Sequence, residues 1–300
     1  MSNAGERVGG AVGFTPGRYG RGMHVAQLWQ YPVKSMIGST VDEVELDELG
    51  IVGDRTWATR DLERGGIRGA KKIGELMQFA ARDLPDGHVE ITLPDGSTVT
   101  TLDGDVDDRV SAALGHRVRL ERLRPADDVD HYRRGAPDGD DPLAEFRAVM
   151  GREADDPLPD FAVFPPVIGE FESPPGTYYD AWPLLVITTS ALASLEAALP
   201  DSVVDIHRFR PSIVIDTDDG MAGHPEFGWN GRTATIGSAV IDFLDPCPRC
   251  VMVTRQIDDA IPADRAILRH IIDELEQNVG VYATIRTPGA VRVGDPVVFA

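Results

Sequence analysis

Short runs in which apolar and polar residues alternate recur along this chain, and they restrict its fold more than any other feature. Residues 24–33 alternate in this way and are interrupted by a proline at position 32, as a strand is before a turn. Residues 89–101 hold two such runs on either side of a Pro-Asp-Gly turn. Many short strands joined by turns predict a β-rich fold, either a small barrel or a sandwich.

The other patterns add more strands and a few helices. Residues 190–199 predict a helix with Thr189 or Ser190 as its N-cap, and residues 263–277 have the clearest helical period. Two runs within residues 279–299 predict a closing hairpin. The remaining predicted elements are strands over 41–46, 116–123, 183–189, 212–216, 233–236, 239–244 and 251–255, and helices over 105–114 and 143–150.

Two segments lack this regularity and divide the chain. Residues 1–22 are rich in Gly and Arg without any period, which predicts a disordered leader. Residues 125–178 are rich in Pro, Asp and Gly, which predicts a variable connection rather than core. They leave two regular regions, residues 23–124 and residues 179–300.

Composition excludes several classes of protein. The formal charge of −20 argues against a nucleic-acid or anionic-membrane surface, because net repulsion opposes both. The first 22 residues contain no apolar signal-peptide core, and no window approaches the roughly 20 apolar residues of a spanning helix. Two cysteines are too few for a disulfide-stapled secreted fold. We therefore expect a cytoplasmic protein.

Both cysteines lie in the stretch D-P-C-P-R-C, as Cys247 and Cys250. An adjacent Arg249 favours the thiolate, which is the form that acts as nucleophile or metal ligand. β-branched residues follow, so we expect the pair to end a loop that enters a strand, unlike the redox motif that opens a helix. The scattered histidines make a zinc site improbable. From the residues alone, a packed pair without function is about as well supported as a reactive one.

Basic residues recur at turns in this acidic chain. Y-P-V-K-S places Lys34 and Ser35 after a proline, and R-F-R-P-S places Arg208 and Arg210 before a strand. Each motif taken alone is better explained by exposed basic side chains. Together with Arg55 and Arg249, they predict a single anion-binding site that contains a thiolate.

The ordered set of motifs resembles one family. Its members are the MOSC proteins, named for the C-terminal domain of molybdenum cofactor sulfurase, and more closely those that also have an N-terminal β-barrel domain, a group that contains the mitochondrial amidoxime-reducing component. The resemblance covers residue 23 to the C-terminus and is weakest over 125–178. The motifs are Y-P-V-K-S at 31–35, G-D-R-x-W at 53–57, F-R-P at 209–211, P-C-x-R-C at 246–250 and P-G-A-V-R-V-G-D-P-V at 288–297.

The resemblance implies a fold and a division into domains. The fold is mixed α/β and β-rich, with two β-barrel-like regions and a few helices. Residues 23–124 are the N-terminal MOSC β-barrel domain, residues 125–178 the connection and residues 179–300 the core of the MOSC domain.

The resemblance also implies a cofactor and the residues that bind it. The cofactor is molybdenum cofactor, a molybdopterin, with Cys250 as the metal ligand and Arg249 as stabiliser of its thiolate. The implied cofactor-binding residues are Lys34, Ser35, Arg55, Thr188, Thr189, Arg208, Arg210 and Ser212. Pyridoxal phosphate binding is a description that applies at family level only.

This chain departs from the family pattern at two places. Ser212 stands where the amidoxime reducers have Asn after F-R-P, and a hydroxyl cannot form the two hydrogen bonds of an amide. Gly69, Ala70 and Lys71 stand where relatives often have Thr-Ala-Arg. These departures bear on the substrate and on the route of the electrons.

The resemblance implies an oxidoreductase that removes oxygen from N-hydroxylated small molecules. Softer metals prefer sulfur ligands, and two cysteines cannot hold a Cys₄ cluster, so the electrons must come from a separate donor. We expect a ferredoxin-, flavin- or cytochrome-type reductase. Asp180 and Asp245 are candidate proton donors by neighbourhood only. The alternative is a carrier that holds the cofactor or a persulfide on Cys250 for delivery, without turnover.

Overall fold

The computed structural model of the chain describes residues 22–217 and 221–300. The predicted leader lies outside the described residues apart from Gly22. The strands are β1 (His24–Gln30), β2 (Ser39–Val41), β3 (Glu43–Asp47), β4 (Gly50–Ile51), β5 (Trp57–Asp61), β6 (Ala80–Asp83), β7 (Val89–Thr92), β8 (Thr98–Thr100), β9 (Val118–Arg122), β10 (Leu184–Thr188), β11 (Ile213–Asp216), β12 (Thr233–Ile236), β13 (Ala239–Pro248), β14 (Asn278–Thr287), β15 (Gly289–Arg292) and β16 (Val297–Phe299).

Short helices connect these strands. The α-helices of the described residues are α1 (Val106–Leu114), α2 (Val129–Tyr132), α3 (Pro142–Met150), α4 (Thr189–Ala198) and α5 (Arg265–Glu274). Single 3₁₀ turns cover Gly74–Gln78, Pro85–Gly87, Phe161–Val163, Pro166–Gly169, Ile206–Arg208, Pro225–Trp229 and Val251–Thr254. No helix among the described residues has the length and apolar character needed to cross a membrane.

The largest sheet has eight strands in the order β16-β12-β13-β14-β10-β11-β1-β2. Strands β10 and β11 are parallel, and the other pairs in this sheet are antiparallel. Strand β1 pairs with β11, and β3 pairs with β15. The first strands of the chain are therefore built into the same sheets as the last ones, across the predicted boundary at residue 124.

Three smaller sheets complete the architecture, with the orders β15-β3-β4, β5-β9 and β6-β7-β8. The β-rich, mixed α/β class predicted from the sequence is confirmed. The sheets of the described residues are open rather than closed barrels, because β16 and β2 at the two ends of the large sheet do not pair with each other.

Separate apolar clusters support the two halves. The large sheet buries a cluster that includes Leu28, Val186 and Ile241, and the small sheets bury another around Phe79 and Ile91. The half-buried Cys250 packs against the second cluster. Val253, which follows in the same loop, belongs to a third cluster with Leu195 and Ile271, so the cysteine loop lies between these last two clusters.

Three details of the secondary structure were predicted wrongly. Residues 251–255 are not a strand but a 3₁₀ turn that follows Cys250, because backbone hydrogen bonds within the loop override the preference of its β-branched residues for strands. The N-cap of α4 is Thr188, whose hydroxyl accepts from the Ala191 N–H. The last runs do not form a hairpin, because β14 pairs with β10 and β13, β15 with β3, and β16 with β12.

Candidate functional site

The parallel pair β10 and β11 defines the position of the site. The Ser212 N–H donates to the Leu185 carbonyl at 2.8 Å, so the residues that enter both strands lie at one end of the sheet. Asp180 precedes β10 and Arg210 precedes β11 at this end. We call it the amino end of β10 and β11.

Three of the predicted site residues have an unusual backbone. Ser35, Arg55 and Arg210 have φ angles of 71°, 48° and 56°, in the left-handed region that residues with a Cβ rarely occupy. Each costs on the order of 1–2 kcal/mol. Such conformations concentrate at functional sites, where the surrounding structure holds them in place.

Two arginines lie against the ring of Tyr31. The Arg210 guanidinium carbon is 4.2 Å from the ring centre and that of Arg55 is 5.2 Å from it. Arg55 also lies 4.8 Å from the ring centre of Tyr179 and donates to Asp54 at 2.8 Å. We call Tyr31, Arg55 and Arg210 the arginine pair site.

Arg210 is buried and incompletely bonded. Its Nη1 donates to the Met36 carbonyl, but its Nη2 has no hydrogen-bond partner among the described residues. Burial lowers the pKa of Arg210 to about 10, and the charge of Arg55 acts in the same direction. The guanidinium is still charged at neutral pH, so the site contains an excess of positive charge with an unused donor. Such a site favours an anion.

Lys34 lies at the edge of this site and is held by a network. Its ammonium donates to the Tyr178 carbonyl at 2.8 Å, to Asp180 at 2.5 Å and to Ser173 Oγ at 3.4 Å. Lys71 binds the other oxygen of Asp180 at 3.3 Å. Partial burial acts to raise the pKa of Asp180, but Lys34 and Lys71 hold it well below its ordinary value. Asp180 is thus ionised at neutral pH and is a poor proton donor.

Ser35 and the nearby glycine fit closely together. Ser35 Oγ accepts from the Ala70 N–H at 2.9 Å. An ideal Cβ at position 69 would lie 2.5 Å from Ser35 Oγ, so only glycine fits here without movement. This contact gives a physical reason for the departure from the family pattern at Gly69.

Three cations interact electrostatically with Cys250. Partial burial acts to lower the pKa of Lys71, but the charges of Asp180 and Cys250 raise it above its ordinary value. Burial lowers the pKa of Arg152, although Cys250 acts in the opposite direction. Burial also acts to lower the pKa of Arg249, but Cys247 and Cys250 raise it above its ordinary value. Positive charge from three different segments of the chain thus acts at Cys250.

Cys247 is the more deeply buried cysteine. Arg249 Nη1 donates to its sulfur at 3.3 Å, and Arg249 Nη2 donates to the Phe209 carbonyl at 2.8 Å. Burial raises the pKa of Cys247 in spite of Arg249. Arg249 therefore connects the cysteine loop to the segment that carries Arg210. Its hydrogen bond within the loop is to Cys247 and not to Cys250.

Arg208 has a different role from Arg210. It is fully buried, and it donates only to backbone carbonyls. The acceptors are those of Val203 at 2.9 Å, Val253 at 3.2 Å, Arg255 at 3.0 Å and Pro262 at 2.6 Å. It holds the turn after Cys250 in place, and each of its three nitrogens already donates to a carbonyl, which speaks against the predicted cofactor contact.

Thr188 and Thr189 lie at the opposite end of β10. At about 3.3 Å per residue, this end is roughly 13 Å from the entry of the strand. Thr188 donates to the buried Glu226 at 2.7 Å and Thr189 to Asp216 at 2.7 Å. The structure does not bring them to the arginine pair site.

Ser212 does lie beside the arginine pair site, two residues after Arg210. Its Oγ accepts from the Leu185 N–H at 3.3 Å.

Several residues of the site were not assigned to cofactor binding from the sequence. Arg152 is buried in the segment predicted to be a connection, and it donates to the Arg249 carbonyl at 3.1 Å and to Gln277 at 3.0 Å. No local pattern distinguishes it from an exposed arginine. Lys71 could have been found as one of only three lysines in the chain. Asp245, the other candidate proton donor, accepts from Asn230 at 2.6 Å.

Among residues 22–217 and 221–300, no group of three or more His, Cys, Asp or Glu is arranged to hold a metal ion. Any metal bound through Cys250 therefore needs ligands from outside these protein groups. The sulfur of a dithiolene is of the kind that softer metals prefer.

Comparison with known proteins gives consistent matches over most of the chain. The family model of the MOSC N-terminal beta barrel domain matches residues 22–133, and that of the MOSC domain matches residues 175–298. Mitochondrial amidoxime-reducing component 1 is 27% identical in Mus musculus, over 91% of this chain and 81% of that protein. The Homo sapiens protein of that name is 26% identical, over 91% of this chain and 82% of that protein.

A third relative is mitochondrial amidoxime reducing component 2 of Bos taurus, 24% identical over 91% of this chain and 82% of that protein. Among solved structures, the YuaD protein from Bacillus subtilis covers 92% of this chain and 94% of its own, with a TM-score of 0.44 and 10% identity. None of these matches supports pyridoxal phosphate binding.

Proposed function

Because the chain belongs to the MOSC domain family and also carries the MOSC N-terminal beta barrel domain, we propose that it is a molybdenum cofactor-dependent oxidoreductase that reduces N-hydroxylated small molecules. The observation that carries this proposal is the arginine pair site, with the unpartnered Arg210 Nη2, next to a cysteine with which three cations interact electrostatically. The name of the relatives supports the reaction type.

The residues of the site fit the two ends of a molybdopterin. Arg55 and Arg210 would hold the phosphate, since both are cations at the same aromatic ring and Arg210 has an unused donor. Cys250 would ligate the metal, because it is the more accessible cysteine and a thiolate is a suitable ligand for a soft metal. Lys34 and Ser35 would lie beside the phosphate. Their hydrogen bonds to Asp180, to the Tyr178 carbonyl and from the Ala70 N–H fix the loops around it.

The bound cofactor would supply two-electron reduction, in which the substrate N–O bond is replaced by N–H and the oxygen leaves as water with two protons taken up. The chain's residues position and tune this chemistry. Lys71, Arg152 and Arg249 supply positive charge close to Cys250. Asp180 is ionised and orients Lys34 and Lys71, so the two protons come from solvent. The electrons come from a separate donor protein.

The decisive test is the cofactor content of protein expressed in a molybdenum-replete host. We expect bound molybdenum and pterin in the wild-type protein, and loss of the molybdenum in Cys250→Ala but not in the matched variant Cys247→Ala. Metal analysis by mass spectrometry and fluorescence of the oxidised pterin measure this directly. A protein without either component, and without any effect of Cys250→Ala, contradicts the proposal.

Reduction of a simple amidoxime with reduced methyl viologen as electron source then tests turnover. We expect activity in the wild-type protein and none in Cys250→Ala. Bound cofactor without turnover would instead favour the carrier function, in which the chain holds the cofactor for delivery.

A further inference from the structure

A cleft beside the cysteine loop has no role in the proposed function. Its volume is about 930 Å³, and it lies between the C-terminal end of α3, the first two turns of α5 and the 3₁₀ turns Gly74–Gln78 and Val251–Thr254. We call it the α3–α5 cleft. Cavities that bind small molecules have volumes of roughly 300–1,000 Å³. None of Tyr31, Arg55 and Arg210 lines the cleft, so it is separate from the arginine pair site.

Arginines outnumber carboxylates in the α3–α5 cleft, although acidic residues outnumber basic ones in the chain as a whole. The charged residues that line it are Arg152, Arg255, Arg265, Arg269, Glu75 and Glu153. Both glutamates are exposed, so solvent screens their charges. Glu153 also pairs with Arg265 at 2.7 Å, and Arg269 pairs with Asp156 at 2.8 Å. The cleft therefore has a net positive charge that comes from its other two arginines.

Arg152 and Arg255 form no ion pair with any residue of the described ranges. Arg152 is buried and donates to neutral groups, which are the Met150 and Arg249 carbonyls and the Gln277 side chain. Arg255 is half-buried, and its Nη2 donates to the Lys71 carbonyl at 3.3 Å. Its Nε is buried without a hydrogen-bond partner in this part of the chain. A charged group in this condition attracts an anionic partner.

Gly74 gives the Arg255 guanidinium its place. An ideal Cβ at position 74 would lie 2.9 Å from the Cζ, Nε and Nη1 atoms of Arg255. Any larger residue would push the guanidinium away from the 3₁₀ turn, so the glycine lets it lie directly against the backbone. The position of this cation in the wall of the cleft is therefore fixed by packing.

Much of the remaining wall is apolar. Ala148, Val251, Leu268 and Ile272 line the cleft together with Arg255. A guanidinium matches the planar shape of a carboxylate and can donate two parallel hydrogen bonds to it. An apolar wall beside such a cation suits a ligand that has a carboxylate at one end and a ring or hydrocarbon at the other.

We propose that the α3–α5 cleft binds a small organic carboxylate, with its carboxylate on Arg255 and its apolar part against Val251, Leu268 and Ile272. The site goes beyond the proposed function, because its ligand does not bind to the molybdenum cofactor. One wall is the turn that begins directly after Cys250, and the charge of Cys250 acts on Arg152 in the same cleft. A bound carboxylate thus lies next to the loop that holds the proposed metal ligand.

Benzoate is the probe, and benzamide is its matched neutral control, since the two have the same shape and differ in charge. Ligand-observed NMR titration of the purified full chain measures both dissociation constants at low and at physiological salt. We expect benzoate to bind about tenfold or more tightly than benzamide, and salt to weaken the binding of benzoate alone. Equal affinities for the two probes, or no binding of benzoate, overturn the inference.

Two variants change the cleft in different ways. Arg255→Gln removes the unpaired charge, and Ala266→Glu adds a carboxylate at an exposed lining position of α5, where the fold is at little risk. Each should raise the benzoate Kd about tenfold or more, with Arg255→Lys as a partial rescue. The matched control Ala193→Glu changes an exposed alanine of α4 outside the cleft, and it should alter Kd by less than about twofold. Equal weakening by Ala266→Glu and Ala193→Glu contradicts the assignment to this cleft.

Inorganic phosphate tests whether the apolar part of the ligand matters. It should bind more weakly than benzoate, because it makes no use of the apolar wall. Phosphate that binds as tightly as benzoate, and that Arg255→Gln weakens to the same extent, contradicts the assignment to an organic carboxylate.

Cys250→Ala separates this site from the cofactor. Cys250 does not line the cleft, so the benzoate Kd of this variant should stay within about twofold of the wild-type value. Loss of benzoate binding in Cys250→Ala would place the probe on the metal and would refute the inference. A chain without molybdenum that binds benzoate through Arg255 defeats the proposed function alone, whereas an active, loaded chain that does not bind benzoate defeats this inference alone.

Discussion

Polar residues lie at both ends of strand β10, but the two ends differ in their balance of cations and carboxyl groups. At the amino end, Arg55 and Arg210 place two cations on one tyrosine ring. At the carboxyl end, Thr188 and Thr189 donate to the carboxylates of Glu226 and Asp216. A phosphate is attracted to the first end, whereas the second end offers it carboxyl groups and no arginine pair. One strand therefore separates a binding end from a structural end.

Two arginines in one short segment also divide into a structural residue and a binding residue, in this case by their hydrogen bonds. Arg208 and Arg210 are both buried, yet the first donates to four carbonyls and the second keeps a donor without a partner. Hydrogen bonding at every guanidinium nitrogen is typical of an arginine that stabilises the fold. An incompletely bonded buried cation costs stability and is expected where a ligand supplies the missing partner.

The largest effect should come from Arg208→Met. Four carbonyls would lose the donor of a fully buried guanidinium, so we expect the free energy of unfolding to fall by about 3–5 kcal/mol. Chemical denaturation followed by circular dichroism measures this. Arg210→Met is the matched control, and it should cost much less because its guanidinium is only partly bonded. Equal losses in the two variants would break the distinction between these arginines.

The second effect concerns binding rather than stability. Arg210→Gln removes the charge and the unused donor, so affinity for the cofactor should fall roughly 10- to 100-fold, as for a lost charged hydrogen bond. Pterin and molybdenum content of the purified variant, with Arg210→Lys as a partial rescue, measure the loss. Thr189→Val at the opposite end should leave the content unchanged. An unchanged content in Arg210→Gln would remove the amino end from the binding site.

The smallest of the three effects should come from Thr188→Val. The substitution keeps the shape of the side chain but removes the N-cap of α4 and the hydrogen bond to Glu226. We expect unfolding free energy to fall by about 2 kcal/mol, with cofactor content unchanged. A variant that loses cofactor while it stays stable would show that the carboxyl end takes part in binding after all.

How far the sequence predicted the site depends on the residue. Lys34, Ser35, Arg55, Arg210 and Arg249 stand in turns marked by proline, glycine or cysteine, and the structure gathers them around Tyr31 and the cysteine loop. Turn chemistry is local, so the sequence shows it. The 3₁₀ turn at Val251–Thr254 was missed because its β-branched residues favour a strand. In the structure, Arg208 from another segment donates to the Val253 carbonyl within this turn.

By itself, the sequence determined the β-rich class and the positions of most strands, since alternation and turn residues act over a few neighbours. The run 233–236 is an example, because β12 covers the same residues. Only the tertiary structure decided that β1 pairs with β11, that Arg152 enters the site and that Arg210, unlike Arg208, keeps a free donor. These outcomes depend on burial and on partners far away in the chain, and no local pattern encodes them.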